Sequence, residues 1–203
     1  KRIPPESTYK IYDALLGLES GIITPEHSSM AWNGEHFSYS AWENDQDLNS
    51  AMQNSVNWYF QTMDSQLGLN KIQEFLNEIE YGNQTTSSNL KLYWSDFSLK
   101  ISPIEQVELL KKFNTNGFHL HSPNVLSVKN AIKIADTSDG TFYGKTGTGC
   151  IDGQDISGWF IGYIETSDNI YYFATNIQSD SNATGKKALE ITSAILKKLH
   201  IWN

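Results

Sequence analysis

Three features of the 203-residue sequence predict an α+β fold: helical apolar periodicity through roughly the first half, strand-like alternation later, and one amphipathic helix at the end. With 39% hydrophobic and 19% charged residues the chain can bury one sizeable core, so residues 1–203 are read as a single domain.

A first helix is expected from about Ser7 to Leu18, with Ile11, Leu15 and Leu18 as its apolar stripe and Gly21 suited to its C-terminal cap. Residues 22–46 are turn-rich, and Asn33–Gly34 marks a tight turn. From Asp47 to about Leu67 the pattern is helical, with Asn54 and Asn57 as weak helix formers that interrupt it. A further helix covers about Asn70 to Ile79. "SPIEQVELLKKF" starts a helix with Ser102 as N-cap, Pro103 in the first position and Glu105 three residues after the cap.

The period then changes. "GTFYGKTGTG" (140–149), "DISGWFIGYIE" (155–165) and "NIYYFATNIQ" (169–178) alternate aromatic and β-branched residues and read as three antiparallel strands. The last helix, about Gly185 to Leu199, has Leu189, Ile191, Ile195, Leu196 and Leu199 to lay on that sheet.

Composition excludes several functions. A net charge of −8 without a Lys/Arg cluster argues against a nucleic-acid partner. One cysteine permits neither an internal disulfide nor a Cys-based metal site, and Cys150 is read as a small buried hydrophobe over a ligand. The five histidines lack metal-ligand spacing, His119 and His121 being only alternate residues of an extended segment, so neither metal nor cofactor is expected. No apolar run approaches the ~20 residues of a membrane span, and no stretch reads as a signal peptide. The first helix begins at Ser7, so the chain is expected to be a fragment of a longer protein.

Three polar clusters carry the chemistry: Ser7–x–x–Lys10, Ser55–Val56–Asn57 and Lys145–Thr146–Gly147. The first is weak alone, since Ser88–x–x–Lys91 repeats it in a loop-like stretch, and a helix cap beside a solvated lysine explains it as well. Its physics is better. Three positions along a helix put Ser7 and Lys10 side by side, and both the helix start and burial lower a lysine pKa towards the free amine of a general base. The Ser7 N–H, unused by the helix, faces a developing oxyanion, and the Thr148 N–H offers a second donor. Gly147 leaves room for a ligand against the strand backbone, where Lys145 and the hydroxyls of Thr146 and Thr148 suit a carboxylate.

Together and in this order, the clusters resemble the penicillin-recognising serine enzymes. "STYK", "W…D…L…AM…SVNWYF", "YGN", "LKISPIEQV" and "YGKTGTG…GWFIGY" narrow the resemblance to class D β-lactamases and the sensor domains built on that fold. That resemblance implies an active site between a helical region and an antiparallel sheet of about five strands, with the N-terminal strands lacking here.

It also implies Ser7 as nucleophile, Lys10 as acylation base, Ser55 as proton shuttle and Trp94 near the lysine as a substrate-binding residue, a core aromatic explaining that tryptophan equally well. The hydrolases have Ser–x–Val in the second motif and a carbamate on the lysine that activates the deacylating water. Here Asn57 replaces that valine, and its amide is expected to hold Lys10 as amine or ammonium. With "STYK" and "NSVNWYFQ", this resembles the extracytoplasmic penicillin-sensor domain of BlaR/MecR-type transducers.

The implied function is a covalent receptor for penicillins and cephalosporins that signals induction of resistance. Its implied partner is the membrane-embedded zinc protease of the same chain, in a Gram-positive type of bacterium. A class D β-lactamase, a D-Ala–D-Ala transpeptidase or carboxypeptidase, and a non-enzymatic module are the rivals. Where the hydrolases hold the ligand carboxylate with a late arginine, Arg2 is the only arginine, leaving Thr146, Thr148 or Lys186 to substitute.

Overall fold

The computed structural model describes residues 1–202. A 3-10 turn, Glu6–Tyr9, leads directly into α1, Lys10–Glu19. The α-helix thus begins at Lys10, where the sequence suggested Ser7: the Thr8 N–H and hydroxyl both bond the Pro5 carbonyl and hold the tighter turn. The C-terminus of α1 is a Schellman motif, with Gly21 at φ +70° and the Gly21 and Ile22 N–H groups donating to Leu18 O and Gly17 O.

The long helical stretch is two helices, α2 (Leu48–Gln53) and α3 (Asn57–Leu67). The interruption spans residues 54–56, with Asn54 as expected ending α2 as its C-cap and Ser55 in left-handed backbone at φ +56°, while Asn57 opens α3 instead of breaking it. α4 (Leu69–Glu78) follows, then α5 (Pro103–Asn114) with its capping box between Ser102 and Glu105. α6 (Ser122–Ala131) and β1 (Lys133–Thr137) were not expected. β1 has only one residue that is not exposed, so it shows no apolar alternation.

β2 (Gly140–Ile151), β3 (Gln154–Glu165) and β4 (Ile170–Gln178) complete a four-stranded antiparallel sheet in the order β1-β2-β3-β4, one strand short of the five the resemblance implied. β1 pairs with β2 only over Gly140–Tyr143, so β2 from Lys145 onward keeps an edge not taken by another strand. β3 is buried on both faces. Trp159, Ile161 and Tyr163 join the main core with the helices, and Phe160 and Ile164 form a second cluster with Ala188 and Leu196 of α7 (Gly185–Lys198).

The register of α7 differs from expectation: Gly185, Ala188, Thr192 and Leu196 are buried, whereas Ile195 and Leu199 are exposed. Small residues let this helix approach closely, since a Cβ on Gly185 would lie 2.8 Å from both Gly147 O and Thr146 Cβ.

Candidate active site

The serine turn is clamped from several sides before any chemistry is asked of it. The Trp159 indole donates to Pro4 O (2.9 Å), the Glu6 N–H to Trp94 O (3.1 Å) and the Gln106 amide to the Thr8 hydroxyl (2.8 Å). Gly147 of β2 packs against the turn, where an added Cβ would lie 3.1 Å from Glu6 Cβ and 3.2 Å from Ser7 N and Pro5 O. The backbone of β2 therefore runs beside the Ser7 N–H, and a side chain at Gly147 would push them apart.

Two lysine–serine pairs face each other across this seam. Lys10 Nζ lies 2.7 Å from Ser7 Oγ and donates to Asn57 Oδ1 at 2.6 Å. Lys145 Nζ donates to Ser55 Oγ (2.8 Å) and to its neighbour's carbonyl, Thr146 O (3.1 Å). The left-handed bend at Ser55 turns its hydroxyl to β2 while Asn57, two residues on, reaches Lys10.

Both amines are buried, and burial dominates their electrostatics. Lys10 is held well below the usual lysine pKa by desolvation and then by the charge of Lys145, against the opposing pull of Asp13, Glu6 and Asp64. Burial brings Lys145 down to about 7. Glu6, next to the serine, is pushed up to about 8 by burial, with the Lys10 charge acting the other way.

A cavity of about 360 Å³ is lined by Ser7, Ser55, Asn57, Thr146, Gly147 and Thr148, together with Tyr39, Trp42 and Asn54. Lys10 and Lys145 sit behind this lining. The Thr148 hydroxyl accepts from the Gly185 N–H at 2.9 Å, so the positive end of α7, with Lys186 in its first turn, points at the part of the cavity suited to a carboxylate. Arg2 is engaged elsewhere, donating to Glu105 at the start of α5.

Ser7, Lys10, Ser55, Asn57, Lys145, Thr146, Gly147 and Thr148 are thus brought together. Trp94 is not in the cavity: it is buried, stacks on Tyr9 and places its ring 5.9 Å from Lys10 Nζ, so it walls the amine instead of meeting a ligand. Ser88 and Lys91 of the second Ser–x–x–Lys are exposed and apart from this site.

Cys150 is corrected to an exposed residue at the mouth of a separate cavity of about 660 Å³, because alternation along β2 turns its side chain outward while Gly149 faces the serine turn. Sequence reasoning missed Trp42 and Tyr39, whose place depends on a long loop held by the Trp58 indole on Trp42 O and the Trp42 indole on Asn54 O. It also missed the buried acids Asp13 and Asp64, of which Asp13, three residues after Lys10 on an otherwise apolar face, was visible.

The family model for the penicillin binding protein transpeptidase domain matches residues 1–197. Regulatory protein BlaR1 of Bacillus licheniformis is 47% identical over 201 residues, 99% of this chain and 33% of that protein. The solved C-terminal domain of the Bacillus licheniformis BlaR penicillin-receptor superposes with a TM-score of 0.96 at 46% identity, covering 100% of this chain and 82% of that one. Class D beta-lactamase BAT-2 follows at a TM-score of 0.93 and 34% identity, over 100% of this chain and 83% of that one. The chain spans about a third of the length of the curated regulatory proteins it matches.

Proposed function

The chain belongs to the penicillin binding protein transpeptidase family, in the branch that holds class D β-lactamases and BlaR-type penicillin receptors, and from this we propose that it is a single-domain β-lactam receptor, acylated at Ser7 and slow to release the acyl group. In the acylation step the Lys10 amine takes the Ser7 proton, Ser7 Oγ bonds to the lactam carbonyl carbon, and the oxyanion faces the N–H groups of Ser7 and Thr148. Ring opening breaks the lactam C–N bond, and the departing nitrogen takes a proton from Ser55, which receives one in turn from the Lys145 ammonium at 2.8 Å. Thr146 and Thr148 hold the antibiotic's carboxylate beside the start of α7, with Lys145 behind them.

The observation that carries the receptor reading is the 2.6 Å bond from Lys10 Nζ to Asn57 Oδ1. An amine committed to that amide, next to the dry Val56, is disfavoured as a carbamate, and the adduct then lacks the base that would activate water. General-base assistance is worth roughly 10²–10⁴-fold, about 3–5 kcal/mol, enough to turn seconds of adduct lifetime into minutes or hours. On this reading the domain stands outside the membrane of a Gram-positive-type bacterium and passes its state to a membrane-embedded zinc protease of the same chain. No helix among the described residues is long and apolar enough to cross a membrane.

Intact-protein mass spectrometry after a slight excess of benzylpenicillin tests this directly. A penicilloyl mass that persists for hours, maps to Ser7 and is absent from Ser7→Ala is expected. Return to the starting mass within seconds while the drug is consumed would make the protein a hydrolase, and no adduct at all would leave a non-enzymatic module.

A further inference from the structure

Beneath the reactive amine lie two carboxyl groups that the chemistry above does not use. Asp13 follows Lys10 by three residues on α1, so both leave the same helix face, and Asp64 reaches the same region from α3. Both side chains are 0% exposed. Of their four oxygens only Asp64 Oδ1 has a donor among the described residues, the Tyr93 hydroxyl at 3.2 Å; both oxygens of Asp13 and Asp64 Oδ2 have none. The two buried carboxyls are close enough for each to act on the titration of the other. Two bare carboxylates cannot face one another away from water. One shared proton satisfies an oxygen on each side and leaves a single negative charge.

The groups facing this charge are Lys10 and Tyr9 on one side, Tyr59 of α3 and Tyr93 on the others, while Lys10 itself also meets Glu6 and Lys145. Burial raises the pKa of both carboxyls. Their charge pulls Lys10 upward, against burial and against Lys145.

We infer that Asp13 and Asp64 act as a positioning pair for the charge of Lys10: their one buried negative charge favours the ammonium form and opposes a carbamate at that nitrogen. To form a carbamate, the neutral amine attacks the carbon of dissolved carbon dioxide, an N–C bond forms, one proton leaves to water and an anion remains. An ammonium has no lone pair for that attack, and the product would be a second anion beside the pair. The ammonium is also no base, so the pair protects a penicilloyl adduct once it exists. This inference rests on Lys10 being the base of the proposed receptor.

The test replaces the charge with amides of similar shape in Asp13→Asn/Asp64→Asn, with each single variant as a second route should the double variant not fold. A nearby negative charge raises a lysine pKa, so removing it lowers that pKa, and the rising limb of benzylpenicillin acylation against pH should move to lower pH by about one unit. In ¹³C-bicarbonate NMR a Lys10 carbamate resonance should gain at least about threefold over wild type. A purely structural pair would change the melting temperature and leave both readouts alone. In a folded variant, an unmoved limb or an unchanged carbamate signal overturns the inference. Rapid turnover of penicillin by the wild type would overturn the receptor reading, yet the limb would still judge the pair. If no adduct forms at all, the carbamate comparison, which needs no antibiotic, does so.

Discussion

Between Ser7 and Asn57 the amine of Lys10 has two neighbours with opposite consequences. Facing the serine hydroxyl at 2.7 Å, the amine in its free form would, on the proposed reading, remove the proton and arm the nucleophile. Bonded to the Asn57 carbonyl oxygen at 2.6 Å, the same nitrogen keeps an N–H that a carbamate would have to surrender or redirect. On the proposed reading, one side chain thus separates an enzyme that completes its cycle from a protein that stops at the adduct. Asn57→Val removes the acceptor and leaves an apolar surface beside Phe60 and Trp94, whose rings lie 5.6 and 5.9 Å from the amine. The expected result is a penicilloyl adduct that decays on the order of 10²-fold faster, read by intact mass against time. An unchanged half-life would remove Asn57 from the account.

At the scale of elements, the site depends on how closely a strand can approach a turn. β2 carries glycine at 147 and 149, and both would press a Cβ into the Glu6 side chain or the turn backbone. The 3-10 geometry from Glu6 to Tyr9 presents Ser7 to that strand, and α7 is drawn in from the other face by Gly185. Adding one carbon at Gly147 is therefore expected to displace the Ser7 N–H by a few tenths of an ångström. Misplacement by about 1 Å costs near 10²-fold in well-oriented reactions, so Gly147→Ala should slow acylation by roughly tenfold. Rapid-quench labelling with a fluorescent penicillin measures it. Labelling at the wild-type rate would mean that the close approach does not set the geometry.

Across the whole molecule, one core joins the helical cluster to the sheet. Every residue of α1 from Lys10 to Leu18 is buried, and the same cluster continues into Trp159, Ile161 and Tyr163 of β3. A helix enclosed in this way cannot leave without exposing both halves, so helices and sheet should unfold together. Leu15→Ala, at a fully buried position of α1, is expected to cost about 2–5 kcal/mol. Urea titrations followed by far-UV circular dichroism and by tryptophan fluorescence should shift by the same amount. Two separated transitions would show instead that the regions fold independently.

How much of this was legible follows from the range of each signal. The start of α5 could be read residue by residue because its cap, proline and Glu105 act within one turn. β3 was legible because burial on both faces demands a near-continuous run of aromatic and branched residues, here Trp159 to Ile164. β1 escaped because it is almost wholly exposed and imprints no period, whereas α6 buries Asn124, Val125, Val128 and Ala131 on one helical face and opens with Ser122–Pro123, a signal that was passed over.

The motifs themselves were local and readable, and their order pointed to penicillin chemistry. Their meeting was not local. Asn57 reaches Lys10 over a separation of 47 residues, and Lys145 reaches Ser55 over 90. By itself the sequence determined the residue types, their local helix and strand settings, and the family they resemble. Only the tertiary structure decided that Trp94 backs the lysine, that Cys150 faces outward, and that Asp13 and Asp64 are both wholly buried without partners for most of their oxygens. Burial and charge act through space, between groups that chain order leaves far apart.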